Sequence, residues 1–291
     1  MRYKPMLAHP VSDRPVDYDA GPVFIQPKLD GVRCLIQCEY EVEEGKYHGH
    51  IIRAYSRTGK EWKNIDHILF NLKPFFQLNP NVVLDGELYN HDLKDDFEKI
   101  ISCVRKTKPT AEHRAESEEL VQFHCYDIIK PSPQYMRFSE REEWLRLNVP
   151  HNRFIKQVES KLIRNDVDAR HENNSNLAEG YEGSILRTNS PYEHKRSHCL
   201  RKFKQFHDAE ATIIGWVAGK GKRIGTVGKF MAIDKDGNEF GMPVMDKQKY
   251  LEENFEKMQG WVGKIATFKY FERTKAGSYR HPLFKCIRDY E

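Results

Sequence analysis

With 291 residues, 39% of them hydrophobic and 12% aromatic, the chain carries enough apolar material for two ordinary domains and falls outside the disordered class. No apolar run approaches the roughly 20 residues a membrane span needs, and Met1-Arg2-Tyr3-Lys4-Pro5 lacks the apolar stretch and cleavage site of a secretory signal. A cytoplasmic chain without a membrane partner is therefore expected. The net charge of +4 describes a mixed surface, but Lys195, Arg196, Arg201, Lys202 and Lys204 crowd ten residues that contain no acid, a local concentration suited to phosphates.

In chain order, Val23-Phe24-Ile25 and Cys34-Leu35-Ile36 read as two strands joined by an Asp-Gly turn. Further strand-like runs lie at Ile51 to Tyr55, Val82 to Asp85, Phe123 to Ile129 and Ser184 to Arg187. Helical spacing appears at Phe97, Ile100, Ile101 and Val104, and Ser139 with Glu142 forms a capping box ahead of Trp144-Leu145. Lys106 to Glu119 and Asn165 to Glu179 are polar and read as loops. Beyond about residue 206 the pattern shifts to short glycine-punctuated strands (Ala211 to Trp216, Gly228 to Ile233, Phe240, Lys264 to Phe271) with one helix-like interval, Asp246 to Met258. Such a unit suits a small β-barrel of the oligonucleotide/oligosaccharide-binding (OB) kind. The fold class is α+β, with a first domain of antiparallel sheets and helices over 1–206 and the small barrel over 207–291.

The six cysteines include no C-x-x-C, and without a signal peptide they read as reduced thiols. Cys34 and Cys38 on one strand stand about 13 Å apart, too far to share a metal. The 13 histidines form no H-E-x-x-H pair, so no zinc is implied.

The segment Gln26-Pro27-Lys28-Leu29-Asp30-Gly31-Val32-Arg33 is K-x-D-G-x-R. Its chemical reading is a lysine amine held near an α-phosphate, with cations lowering its proton affinity so that it can attack while pyrophosphate leaves in line. By these residues the chain resembles the covalent nucleotidyltransferases: ATP-dependent DNA ligases, RNA ligases and mRNA capping enzymes. Further family elements follow in order. Ser56-Arg57-Thr58-Gly59 is similar to S-R-x-G, and the resemblance gives Arg57 to phosphate contacts. Leu84-Asp85-Gly86-Glu87-Leu88 is similar to the D-G-E element, in which Glu87 contacts the nucleotide sugar or supports a metal. Tyr126-Asp127-Ile128-Ile129 resembles the strand whose ring stacks on adenine. Of Glu179-Gly180 and Glu182-Gly183, the second leads into a strand ending in Arg187, so Glu182 is the expected metal-supporting carboxylate and Glu179 a loop charge. Lys202-Phe203-Lys204 matches K-x-K, with both lysines on one face of a strand.

After Lys204, Asp208-Ala209-Glu210-Ala211-Thr212-Ile213-Ile214-Gly215 resembles the opening of the C-terminal barrel of small DNA ligases. Gly277-Ser278-Tyr279-Arg280-His281-Pro282-Leu283-Phe284 resembles its end. The final motif departs from the family: Arg288-Asp289-Tyr290-Glu291 keeps an arginine and lacks the lysine, so either Arg280 or Arg288 takes its part or the step uses other cations. Lys220, Lys222, Arg223 and Lys229 mark either a mobile basic loop that approaches DNA or a solvated turn.

Only 27 residues precede Lys28, which points to ATP and not NAD as donor. The resemblance implies a monomeric ATP-dependent DNA ligase acting on nicked duplex DNA in repair or replication, with Mg²⁺ or Mn²⁺. It implies Lys28 as the catalytic nucleophile; Gln26, Arg33, Glu87, Tyr126, Lys202 and Lys204 on the nucleotide; Arg57, Arg187, Arg280 and Arg288 on phosphate or DNA; and Asp30, Glu87 and Glu182 at the metal.

Overall fold

The computed structural model describes residues 3–43, 46–94, 96–131, 135–204, 207–246, 248–273 and 277–288. They divide into two compact units, Met1–Phe203 and Lys204–Glu291. The expected boundary at 206/207 falls on residues of which 205 and 206 lie outside the described ones.

The strands of the first unit are β1 (Leu7–Pro10), β2 (Val23–Pro27), β3 (Val32–Glu43), β4 (Lys46–Tyr55), β5 (Val83–Tyr89), β6 (Gln122–Ile129), β7 (Ile155–Gln157), β8 (Lys161–Ile163), β9 (Gly183–Thr188) and β10 (Arg196–Lys204). One sheet has the order β1-β10-β9-β2-β8 and another the order β4-β3-β5-β6-β7. Pairing is mainly antiparallel, as expected, but β1 with β10 and β6 with β7 run parallel. The Asp-Gly turn does not close a hairpin within one sheet: it carries the chain from β2 in the first sheet to β3 in the second.

The helices of this unit are α1 (Asp66–Asn71), α2 (Lys73–Leu78), α3 (Phe97–Val104), α4 (Ala111–Leu120), α5 (Phe138–Asn148) and α6 (Asp166–Ala178). Side chains alternate across a strand, and β3 buries both faces. Cys34, Ile36 and Cys38 point to the main core with Ile68, Leu72, Phe76, Val104 and Leu145, whereas Leu35 packs with Val83 and Ile129 on the other side. Each fully buried Leu, Ile or Phe there contributes roughly 1.5–3 kcal/mol.

Two stretches expected to be loops are helices. Within 106–119, α4 starts at Thr110, whose side-chain oxygen accepts from His113 N while the His113 ring accepts from the Thr110 backbone N–H. Within 165–179, α6 starts at Asn165, whose side chain accepts from Asp168 N. Their caps outweigh their polar composition. The expected Ser139 cap is instead the second residue of α5, which begins after Arg137 with Glu140 reaching back to the Arg137 N–H.

In the second unit β11 (His207–Ala218), β12 (Val227–Ile233), β13 (Glu239–Pro243), β14 (Ile265–Tyr270) and β17 (Leu283–Ile287) form an antiparallel sheet ordered β13-β12-β11-β14-β17; β15 (Glu272–Arg273) and β16 (Tyr279–Arg280) pair separately. Among the described residues this pairing does not close on itself, so the barrel is an open one. Helices α7 (Gln248–Glu253) and α8 (Phe255–Gln259) occupy the interval expected to be helical. Phe230, Phe240, Phe268 and Tyr279 form the centre of its core. The Tyr279 hydroxyl donates to Asp234 at 2.9 Å, so the 277–284 motif builds this core. The basic turn at 219–226 is tied down: Gly219 N donates to Thr226 O, and Arg223 Nη1 donates to Val244 O at 2.5 Å. Lys220 and Lys222 remain exposed on it.

Candidate active site

Residues of β2, β3, β5, β6, β9 and β10 line a cavity of about 260 Å³ in the first unit. Its wall includes Gln26, Lys28, Arg33, Arg57, Glu87, Tyr126, Arg187 and Lys202, eight of the residues singled out from sequence, together with Leu7, Ala8, Ile185, Arg196 and Leu200. Leu7, Ala8, Ile185 and Leu200 escaped the sequence argument as site residues, whereas Arg196 belongs to the basic run of 195–204.

Local geometry explains the K-x-D-G spacing. Lys28 N donates to Gly183 O at 2.9 Å and Glu182 N donates to Lys28 O at 3.0 Å, which sets the two side chains beside each other. Lys28 Nζ and the buried Glu182 carboxylate form an ion pair. Gly31 is required by close approach: a Cβ there would stand 2.5 Å from Leu88 O and 2.7 Å from Glu87 Cγ. Gly86 likewise would meet His124 O at 2.4 Å. Glu179 is the C-cap of α6, where its carboxylate accepts from Ser175 Oγ at 3.4 Å.

Arg33 grips Asp85 through Nε at 2.6 Å and Nη2 at 2.5 Å, and Tyr192 OH donates to the same carboxylate at 2.6 Å. The Arg33 guanidinium stands 5.1 Å from the centre of the Tyr126 ring and that of Arg187 stands 5.4 Å from it, while the Tyr126 hydroxyl donates to Glu87 Oε2 at 3.2 Å. Arg57 is exposed on the hairpin turn closed by Gly59 N to Ser56 O, at the cavity's edge. Arg187 lines the cavity but is only 4% exposed and held at two nitrogens: Nη1 donates to Asp127 Oδ2 at 2.7 Å and Nε to Gln26 Oε1 at 2.6 Å. Asp127 also takes Arg141 Nε at 2.7 Å. Burial would raise the Asp127 carboxyl, but the two guanidinium groups hold it below the usual carboxylate range. Arg141, 14 positions away on α5, has no sequence signal.

Three expected residues are elsewhere. Asp30 lies on the turn outside the cavity wall. In the second unit, Arg280 stands 5.7 Å over the Phe271 ring and Arg288 pairs with Glu210. Lys204 belongs to β10, but its side chain lies outside the described residues, as do Asp289, Tyr290 and Glu291 of the altered C-terminal motif.

A divalent cation fits the donor set in one way. Among the described residues no three His, Cys, Asp or Glu side chains gather into a cage. Glu87 and Glu182 supply hard carboxylate oxygens, which suits Mg²⁺, an ion commonly held by one or two carboxylates plus substrate phosphates. Burial pushes Glu87 up to about 7, against the pull of Arg33, Lys28 and the Tyr126 hydroxyl. A raised folded-state value means that stability tied to protonated Glu87 is complete below about pH 4.5 and lost as pH rises to about 7. Glu87→Gln removes that dependence. Its stability relative to wild type, read from urea midpoints, should therefore rise between pH 5 and pH 8 and level off above; a pH-independent difference contradicts this.

The fold and the cavity define a lysine-centred nucleotidyltransferase domain followed by an OB-like unit. Residues 5–204 match the family model of the ATP dependent DNA ligase domain and residues 218–288 that of the DNA ligase OB-like domain. The chain belongs to the ATP-dependent DNA ligase family. It is 33% identical over 215 residues to the DNA ligase of African swine fever virus, covering 70% of this chain and 47% of that one. Against the DNA ligase of Nitrosopumilus maritimus it is 23% identical over 253 residues, covering 81% and 41%. It thus spans about half the length of the curated relatives it matches. A solved chain from the Lig E DNA ligases superposes with a TM-score of 0.74 at 23% identity, covering 99% of this chain and 100% of that one. The ATP-dependent DNA ligase of bacteriophage T7, solved with ATP, gives 0.52 at 19%, covering 98% of each. These two likenesses are of fold.

Proposed function

We propose that this chain seals 3′-hydroxyl/5′-phosphate nicks in duplex DNA with ATP as adenylate donor. The observation that carries the reading is one cavity holding Lys28, Arg33, Glu87, Tyr126 and Lys202, with Glu182 against Lys28, inside a domain of the DNA ligase family. In the first step Lys28 Nζ attacks the α-phosphorus of ATP, an N–P bond forms, the bond to pyrophosphate breaks, and the amine loses a proton. In the second, an oxygen of the nick's 5′-phosphate attacks that phosphorus and the N–P bond breaks. In the third, the 3′-hydroxyl attacks the activated 5′-phosphate and AMP leaves. Each step is a phosphoryl transfer, so alignment and fixed cations supply most of the catalysis.

In this reading Tyr126 stacks on adenine and Gln26 reads its edge, its amide oxygen fixed by the chain of contacts from Arg141 through Asp127 and Arg187. Arg33 and Lys202 balance phosphate charge, Lys204 is proposed to add to it, and Arg57 stands at the rim. Arg280 and Arg288 of the second unit are proposed phosphate or DNA contacts. Glu87 and Glu182 would hold Mg²⁺ or Mn²⁺ with phosphate oxygens, and Asp30 would act through bound water. The metal would supply charge neutralisation at the phosphates. Glu182 meanwhile keeps the Lys28 amine directed into the cavity until ATP arrives. Function as a monomer in the cytoplasm, in repair or replication, completes the proposal.

Glu182→Ala is expected to lower the rate of lysine adenylation by about 10²-fold or more, and Glu179→Ala by less than about twofold. Single-turnover labelling measures both; equal losses refute the distinction. Sealing of a nicked DNA duplex, compared with nicked DNA–RNA hybrids and with single-stranded RNA, tests the proposal as a whole. Joining of nicked DNA is the expected result, and joining of RNA with failure on nicked DNA identifies an RNA ligase instead.

A further inference from the structure

The edge of the first sheet contains a second cluster of positive groups, on a different set of residues from the cavity. Strand β1 pairs with β10 in parallel, and the register jumps from Ala8↔Ser197 to His9↔Arg201, so residues 198–200 bulge outward. The bulge lays the His198 ring on that of His9, with centroids 3.8 Å apart and planes 8° apart. Arg201 follows at once. It is 7% exposed, and its Nε and Nη1 atoms, like Nδ1 of His198, are buried without a hydrogen-bond partner.

The groups facing Arg201 are Arg14, Cys199 and Tyr18; those facing His198 are His9, Arg201, Arg14 and Asp13. Asp13 is already bonded to His9 Nδ1 at 3.1 Å, and Tyr18 OH donates to Asp166 at 2.8 Å. Among the described residues Arg201 is thus buried beside another guanidinium with no carboxylate of its own. Arg141 and Arg187, buried to a similar degree, are both held by Asp127. An uncompensated buried cation is costly, and two guanidinium groups with an imidazole match an oxyanion that accepts from several sides. Arg14 is exposed and both histidines are half-buried, which leaves a way in.

We propose that Arg201, Arg14 and His198 form an anion site whose missing partner is a phosphate oxyanion, supplied by the DNA backbone or by free phosphate. The DNA source rests on the nick-sealing reading, whereas the free-phosphate source does not.

The test uses the full chain as wild type, Arg201→Met and Arg14→Gln. In one arm thermal unfolding is followed as inorganic phosphate replaces chloride at constant ionic strength. In the other, anisotropy titrations of a nicked duplex are run over a salt series. If free phosphate is the ligand, it raises the Tm of wild type more than that of either variant. If the backbone is the ligand, both variants bind the duplex about tenfold more weakly and lose about one unit of log–log salt slope. Variants that follow wild type in both arms overturn the site, as does a loss confined to Arg201→Met, which marks a purely structural residue. A wild-type chain that binds no duplex would sink the nick-sealing reading and leave the phosphate arm standing.

Discussion

Lys28→Ala is expected to take up no label from α-³²P-labelled ATP, a fall of at least about 10⁴-fold that leaves the fold unchanged. The amine is the sole atom that forms the N–P bond in the proposed first step, so nothing else in the cavity substitutes for it. Its side chain is partly exposed and pairs with Glu182, so its loss leaves a mostly water-filled gap and not a void in the core. Denaturing gels report the label, and circular dichroism reports the fold. A labelled Lys28→Ala chain would place the nucleophile elsewhere. Lys28→Arg should also fail, because a guanidinium stays protonated and cannot attack.

Asp127→Ala is expected to destabilise the first unit by about 3–5 kcal/mol. Asp127 is 1% exposed and its two oxygens hold Arg187 and Arg141, so alanine leaves two guanidinium groups buried together without an anion. Losses of this size lower the Tm of a unit of this length by roughly 10 °C. Because Asp127 is held below its ordinary range, its contribution is present above the unfolded-state value near pH 4 and disappears as pH falls through the folded-state value. The gap between wild type and variant should therefore narrow in acid. A loss under about 1 kcal/mol at pH 7 would show that the triad is dispensable. Since Arg187 also fixes Gln26, Asp127→Asn should discriminate less well between ATP and GTP even where it folds.

Lys28, Glu87, Tyr126 and Lys202 could be singled out in the sequence because their motifs fix residue type and spacing, and the structure gathers them on one cavity wall. Of the two Glu-Gly pairs only Glu182 runs into a strand, and the backbone bonds between that segment and Lys28 set Glu182, not Glu179, beside the lysine. Arg141 was invisible: it meets Asp127 only when α5 packs on β6, and no local pattern encodes that contact. Helix α6 stands where the sequence reads as a loop for a related reason. It buries little beyond Ala169 and Asn176, so its apolar period is too thin to announce it, and only the Asn165 cap marks its start. The Asp-Gly turn was recognised as a turn, but its passage between two sheets depends on Gly31 lying against Glu87 and Leu88.

The most direct measurement of the central claim is a single-turnover chase. The chain is first labelled with α-³²P-labelled ATP, freed of nucleotide, and mixed with a nicked DNA duplex and magnesium. The account predicts that label leaves Lys28, appears on the 5′-phosphate of the nick, and ends as free AMP while the strand becomes continuous. Label that stays on the protein in the presence of nicked DNA, or that moves to an RNA end instead, would contradict it.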